Sequence, residues 1–306
     1  KPHPTRGWAL RANLKQIVDD KRYATNGDGF RSLYEYSFDP ERYGVMIVGD
    51  SFTFGDGVDT VDTWPNLLSE LDARLNVFNL AGSGYGIDQM YLTLTEEIER
   101  YKPKLVIAAF IDNNLHRTLL DFRDYKKPRF VLKDNILTLT NTPIEGTETV
   151  LSELTAKRID NYSRFQILNV LRTITGKMYA TNYLEEPRSG DLKNGCAGEC
   201  AELNTRLIEE MARKAKENNA EFMLLYLPRD DELVLSDYKT YGEEFFKVYK
   251  AEHKKDHEYL NPREAFLRAD YEKSTGHYNL GETKLVSGEV YKSLTKLRSF
   301  KKFKSD

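Results

Sequence analysis

The sequence contains no apolar run approaching the roughly 18 to 20 residues that a membrane-crossing helix needs. Its N-terminus shows neither a signal-type apolar core nor a small-residue cleavage site. Cysteine is scarce, with two in 306 residues, Cys196 and Cys200. A zinc site needs a further Cys or His pair at suitable spacing, and the sequence has none, so no metal is expected. The cysteine pair itself reads either as a small disulfide loop from an oxidising compartment or as two ordinary thiols. Charge of one sign is also lacking: 45 basic against 48 acidic residues leave a net charge of −3, with no basic field to hold nucleic acid. The lysine-rich end, Lys301-Lys302-Phe303-Lys304, reads as a solvated tail. There is no P-loop, no full Gly-x-Gly-x-x-Gly fingerprint and no internal repeat, so no cofactor is expected. The chain starts Lys-Pro-His without Met, which is compatible with removal of a targeting segment. The compartment is therefore open, with an extracytoplasmic setting the expectation.

What is present is an α/β rhythm. Val45-Met46-Ile47-Val48 is a short apolar run stopped by Gly49-Asp50-Ser51, a buried strand that ends by presenting a hydroxyl at the start of a loop. Trp64, Leu67, Leu68 and Leu71 recur at helical spacing, with Pro65 suited to a first turn. Val77 to Leu80 gives a second strand, Ala81 to Gly86 a glycine-rich loop, and Ile87 to Arg100 a helix. Leu105 to Ile111 is apolar throughout, as a parallel strand covered on both faces should be. Residues 1–44 carry turn signals and aromatics without a helical period and read as an extended arm on a main domain, 45–306. The stretch from about 115 to 200 breaks the rhythm and reads as an insertion. It holds a hairpin around Lys133-Asp134-Asn135, a long amphipathic segment from Leu151 to Ile174, and a polar loop from Thr181 to Gly198. A helix over Leu203 to Ala215, a strand at Phe222 to Leu227, a helix from Tyr241, a weak strand near Tyr259 and a last helix from Leu280 then resume the alternation.

Three strand-end loops and one helix start carry a set of complementary groups. Ser51 has a hydroxyl, His277 an imidazole, Gly84 a backbone N–H that can approach closely, and Asn113 a side-chain amide. A serine needs a base to take its proton, and a tetrahedral oxyanion needs donors aimed at it. The other histidines read as bystanders: His116 in a loop, His253 and His257 solvated beside Lys254 and Lys255.

The blocks Gly49-Asp50-Ser51, Gly84 within Asn79 to Gly84, an Asn after the third strand and a His entering the last helix resemble the SGNH, or GDSL, hydrolase superfamily. The resemblance spans about residues 43–114 and 203–298. It implies a flavodoxin-like three-layer α/β/α sandwich with a parallel sheet of about five strands. It further implies ester hydrolysis, with Ser51 as nucleophile, His277 as base and an oxyanion hole of Ser51 N–H, Gly84 N–H and the Asn113 side chain. Asp50 would brace the turn. Pieces such as Asp28-Gly29-Phe30-Arg31 and Lys127-Pro128-Arg129-Phe130 look similar to a bacterial branch near envelope polysaccharides.

Two departures stand out. The third block reads Asp112-Asn113-Asn114, so Asn114 competes with Asn113. The Asp that the family places two or three residues before the histidine is replaced by Ser274 and Thr275. Asp270 or Glu272 could reach back, a backbone carbonyl or the Ser274 hydroxyl could orient the ring in a Ser–His dyad, or catalysis could have decayed. The expected substrate is a small acyl ester of a carbohydrate or other polar alcohol. The alternatives are an O-acyltransferase using the same pair, and a non-catalytic glycan-binding or assembly protein.

Overall fold

The computed structural model describes residues 1–123, 125–144, 196–234, 240–254, 257–274 and 276–303. Before the main sheet come two short antiparallel ladders, β1 (Pro2–His3) with β2 (Gly7–Trp8) and β3 (Lys15–Val18) with β4 (Lys21–Ala24). These residues include no helix, as the lack of a helical period in 1–44 predicts. The segment is fastened by buried Arg31, whose guanidinium donates to the carbonyls of Gly55 at 2.6 Å and Val58 at 2.5 Å and lies 3.7 Å from the Tyr23 ring centroid.

Five strands then build one parallel sheet: β5 (Tyr43–Val48), β6 (Leu75–Asn79), β7 (Leu105–Phe110), β10 (Glu221–Tyr226) and β11 (Glu258–Leu260). Their spatial order is β6-β5-β7-β10-β11. Counted along the chain this is 2-1-3-4-5, the flavodoxin-like doubly wound order, whose topological switch point lies between the first and third strands. The neighbours β5 and β7 therefore open their C-terminal ends onto the crevice where such sheets bind ligands.

The period-2 alternation of each strand divides the core. Met46, Val48, Phe78, Val106, Ala108, Phe110, Leu224 and Tyr226 face one side. They are covered by α3 (Ile87–Tyr101) and α5 (Glu199–Glu217), the latter placing Leu203, Leu207 and Met211 inward. Val45, Ile47, Val77, Leu105, Ile107, Ala109, Met223 and Leu225 face the other, under α2 (Trp64–Leu71) and α9 (Leu280–Leu294). Every residue of β5 and β7 is buried, which is why both read as unbroken apolar runs. The chain also forms α1 (Ser51–Phe54) after β5 and α4 (Asp112–Arg117) after β7, and later α6 (Asp230–Val234), α7 (Tyr241–Glu252), α8 (Arg263–Arg268) and α10 (Arg298–Lys302). The lysines of the expected tail thus partly belong to a terminal helix.

The hairpin forms as the turn chemistry requires. β8 (Arg129–Lys133) pairs with β9 (Ile136–Thr140), and Asp134 and Asn135 both take positive φ, 50° and 61°, in a two-residue turn. The amphipathic segment and most of the polar loop expected after it lie outside the described residues. A disulfide joins Cys196 to Cys200 at the start of α5, which decides between the two readings of that pair.

The lead-in to the hairpin is held by an ion pair with no exposure on either side: Lys127 Nζ donates to Asp88 Oδ2, and also to the carbonyls of Leu120 at 3.0 Å and Pro128 at 2.9 Å. Removing one member leaves the other charge buried and uncompensated, a loss of about 3–5 kcal/mol. Lys127→Met should accordingly lower the urea midpoint by that equivalent, and Asp88→Asn added to it should restore part of the loss. An unchanged midpoint in Lys127→Met would show that the pair contributes nothing.

Candidate active site

The loop after β5 is built to expose a side chain in one orientation. Gly49 must be glycine because a Cβ there would lie 2.4 Å from Thr53 Oγ1 and 3.1 Å from the Ala109 carbonyl. Asp50 N-caps α1, accepting the Phe52 N–H at 3.1 Å, and Gly55 ends it at φ 90°, its N–H donating to the Ser51 carbonyl at 2.9 Å. One turn of helix is thus pinned at both ends, with Ser51 first in it. Asp50 is wholly buried, and its second oxygen accepts from Arg117 Nη1 at 3.0 Å and Asn114 Nδ2 at 3.1 Å.

Ser51 Oγ lies 2.9 Å from His277 Nε2. The two residues are 226 positions apart, and the contact joins the end of β5 to the approach to α9. The serine is 4% exposed whereas the histidine stands at an exposed rim. The imidazole packs against Phe52, centroids 5.0 Å apart, and its neighbour Tyr278 is anchored by a 2.5 Å bond to the Pro228 carbonyl.

Asp270 and Glu272, the acids expected to reach back, are both exposed, and neither contacts the imidazole. Glu272 contributes only its carbonyl, which accepts from Asn279 Nδ2 at 2.6 Å. The Ser274 hydroxyl does not orient the ring either; it donates to Asp230 Oδ2 at 2.5 Å. Among the described residues no carboxylate pairs with His277, which leaves a serine–histidine dyad. What surrounds the histidine is a set of loop contacts. Glu282, buried in the first turn of α9, accepts the Asn279 N–H at 2.8 Å and the Ser274 N–H at 3.4 Å, while Asn279 caps the helix in return.

The glycine-rich loop after β6 comes alongside through Gly82 N–H, which donates to the Gly49 carbonyl at 3.1 Å. Gly84 has φ 78°, a conformation that selects glycine, and it lies beside the Arg123 guanidinium and the Trp8 ring. Trp8 Nε1 donates to the Ser83 carbonyl at 2.9 Å, Tyr85 hydroxyl returns a bond to the Trp8 carbonyl at 2.6 Å, and Ser83 Oγ donates to Asp56 at 2.6 Å.

Asn113 and Asn114 separate by environment. Asn114 is fully buried and spends its amide on the framework, accepting from Ile111 N–H at 2.6 Å and donating to Asp50 and to the Tyr85 carbonyl at 2.8 Å. Asn113 is partly exposed, with its oxygen accepting from Arg229 Nη1 at 2.8 Å. The arginine thus fixes the oxygen end of the Asn113 amide.

The remaining histidines lie elsewhere. His116 is in α4, its ring edge-on to Tyr241 at 4.6 Å. His253 and His257 stack with Tyr249, at 4.4 and 6.1 Å, rather than standing free in solvent. Sequence reading missed Arg117, Arg229, Asp230 and Glu282. Only the last left a signal, the Asn279-x-x-Glu282 pattern of a capping box. Among the described residues no group of His, Cys, Asp or Glu is arranged to hold a metal, and no helix is long and apolar enough to cross a membrane.

Burial and the adjoining Asp230 carboxylate push Glu282 up from 4.5 to about 7. A carboxyl whose folded pKa is raised binds its proton more tightly in the native state. Its contribution to stability is therefore full below about pH 4.5 and is lost as pH rises through about 7. Glu282→Gln, which keeps an acceptor oxygen for the Asn279 N–H, should flatten the decline in melting temperature across that window. A decline identical to wild type would remove Glu282 as its source.

No protein-family model and no curated protein matches the chain. Solved structures with a similar fold include a GDSL-like lipase from Bacteroides thetaiotaomicron, 13% identical, covering 86% of this chain and 92% of the lipase at a TM-score of 0.44. A member of the lipolytic protein G-D-S-L family from Veillonella parvula is 10% identical, with 83% of this chain and all of that chain covered at 0.44. The psychrotrophic esterase EstA from a Pseudoalteromonas species is 14% identical, with coverage of 83% and 97% at 0.42.

Proposed function

We propose that the protein is a serine ester hydrolase of the SGNH/GDSL type, working through an acyl-serine intermediate. The 2.9 Å contact between Ser51 Oγ and His277 Nε2, at the C-terminal edge of the sheet beside its switch point, carries this reading. With the Nδ1–H tautomer, His277 Nε2 accepts the Ser51 proton as Oγ attacks the ester carbonyl. The developing oxyanion is received by the N–H groups of Ser51 and Gly84 and the Asn113 amide. Collapse expels the alcohol, which takes the proton back from His277. Water then repeats the sequence on the acyl-enzyme and releases the acid.

The substrate we favour is a small acyl ester on a carbohydrate or another polar alcohol. Supporting this, the side of the site next to Gly84 is formed by Trp8, Tyr125 and Arg123, aromatic and polar groups rather than an aliphatic channel. We also infer that residues 1–44 belong functionally with the 45–306 domain, since Trp8 bonds the loop that holds Gly84.

Ser51→Ala should abolish both labelling by a fluorophosphonate, followed by intact mass, and turnover of p-nitrophenyl acetate, with losses on the order of 10⁴-fold or more. Wild-type protein that takes no label while still binding glycan would favour the non-catalytic alternative. Ester transfer to an added oligosaccharide, with little free acetate, would favour the acyltransferase.

A further inference from the structure

A carboxylate on the far side of a catalytic imidazole fixes the ring's tautomer and its direction, and here that group is missing. Two carboxyls that the chemistry above leaves unused, Glu282 buried and Asp230 half-buried, stand one layer further out. Asp230 opens α6 and accepts the Ser274 hydroxyl at 2.5 Å; its other oxygen is buried without a hydrogen-bond partner. Glu282, with no exposure, accepts the N–H groups of Ser274 and Asn279, one on each side of His277.

We propose that Asp230, Ser274 and Glu282 are positioning residues that do the work of the missing acid, by fixing the 274–279 loop and so directing His277 Nε2 at Ser51. The inference rests on the acyl-serine reading.

An imidazole with no carboxylate partner still has rotational freedom about its side-chain bonds, and that freedom is restricted from three directions. Phe52 covers its face, and Gly57 approaches the His277 Cβ so closely that a Cβ there would stand 3.5 Å from it. The backbone is held before the ring at Ser274 and after it at Asn279, with the Tyr278 hydroxyl bonded to Pro228 as a third anchor. Loosening either flank lets the ring drift, and a displacement of about 1 Å costs on the order of 10²-fold in rate.

The two acids act as one unit. A proton on Glu282 gives Asp230 a donor and leaves the pair with a single negative charge; its loss sets two carboxylates against each other. The titratable groups that interact with Glu282 are Asp230 and the phenols of Tyr271 and Tyr278, both of which burial raises above their usual value. An amide at 282 can supply a permanent donor to Asp230 and mimic the protonated state.

The test measures kcat and KM for p-nitrophenyl acetate, the fluorophosphonate labelling rate and the melting temperature, between about pH 5 and 9. The proteins compared are wild type, Ser274→Ala, Ser274→Thr, Glu282→Ala, Glu282→Gln and Ser51→Ala. Expected are losses of kcat and labelling rate of about tenfold to a hundredfold in Ser274→Ala and Glu282→Ala, with KM changed by less than about twofold. Ser274→Thr should restore most of the rate. Glu282→Gln should stay near wild type at low pH and lack the decrease in kcat that loss of the Glu282 proton is expected to superimpose, in wild type, on the rise from His277 deprotonation. Wild-type labelling rates in both alanine variants, a loss of kcat no larger than the unfolded fraction while the folded molecules label at the wild-type rate, or losses shared equally between kcat and KM, would overturn the proposal while leaving the acyl-serine reading in place. Hydrolysis that survives Ser51→Ala would overturn the acyl-serine reading itself, and the positioning role with it.

Discussion

The buried carboxylate of Asp50 is the constraint around which the rest of the site is arranged. A charge removed from water must be met by opposite charge and by donors, or the native state is lost. Here the compensation comes from three places: the first turn of α1, the Asn114 amide and the Arg117 guanidinium. The last two also reach the Tyr85 carbonyl, at 2.8 and 3.4 Å. Satisfying one acid therefore locks together the ends of β5 and β7 and the loop after β6. Those are the segments that carry Ser51, Asn113 and Gly84, so a requirement of folding sets the spacing of the chemistry.

The histidine enters from a different part of the chain and is held by different means. Its loop is clamped from the side of α6 and α9, outside the Asp50 network, and the two halves of the site meet at the Ser51–His277 contact, at the Phe52 face and beside Gly57. A direct acid–imidazole bond concentrates orientation in one interaction. The arrangement here spreads it over backbone and packing contacts, each of modest strength. The first design adds charge stabilisation of the imidazolium; the second relies more heavily on ground-state geometry.

Much of this was legible in the sequence for a simple reason: parallel strands covered on both faces must be continuously apolar, and Val45–Val48, Leu105–Ile111 and Phe222–Leu227 are. Ser51 stood out at a strand that stops at Gly-Asp-Ser and His277 through the family resemblance, and the structure brings their side chains together. The choice between Asn113 and Asn114 could not be made from spacing, because adjacent residues differ only in whether the framework or the solvent claims their amides. Asp230 was invisible for another reason. It lies 44 positions from Ser274, and nothing local marks a carboxylate that folding will bury. Glu282 did leave a trace, but a capping box reads as helix punctuation and conceals a second use. His253 and His257 looked solvated beside lysines, and only the turn from α7 into β11 stacks them on Tyr249.

The 226-residue separation of Ser51 and His277 has a kinetic meaning as well as a chemical one. Contacts that close long loops form late, after the entropy of threading most of the polypeptide has been lost. A sheet whose first strand delivers Ser51 and whose final strand is followed by the loop that delivers His277 brings the two together only when its whole winding order is complete. Covalent capture at the serine is then a stringent gauge of native topology, one that partly collapsed species with native secondary structure cannot satisfy.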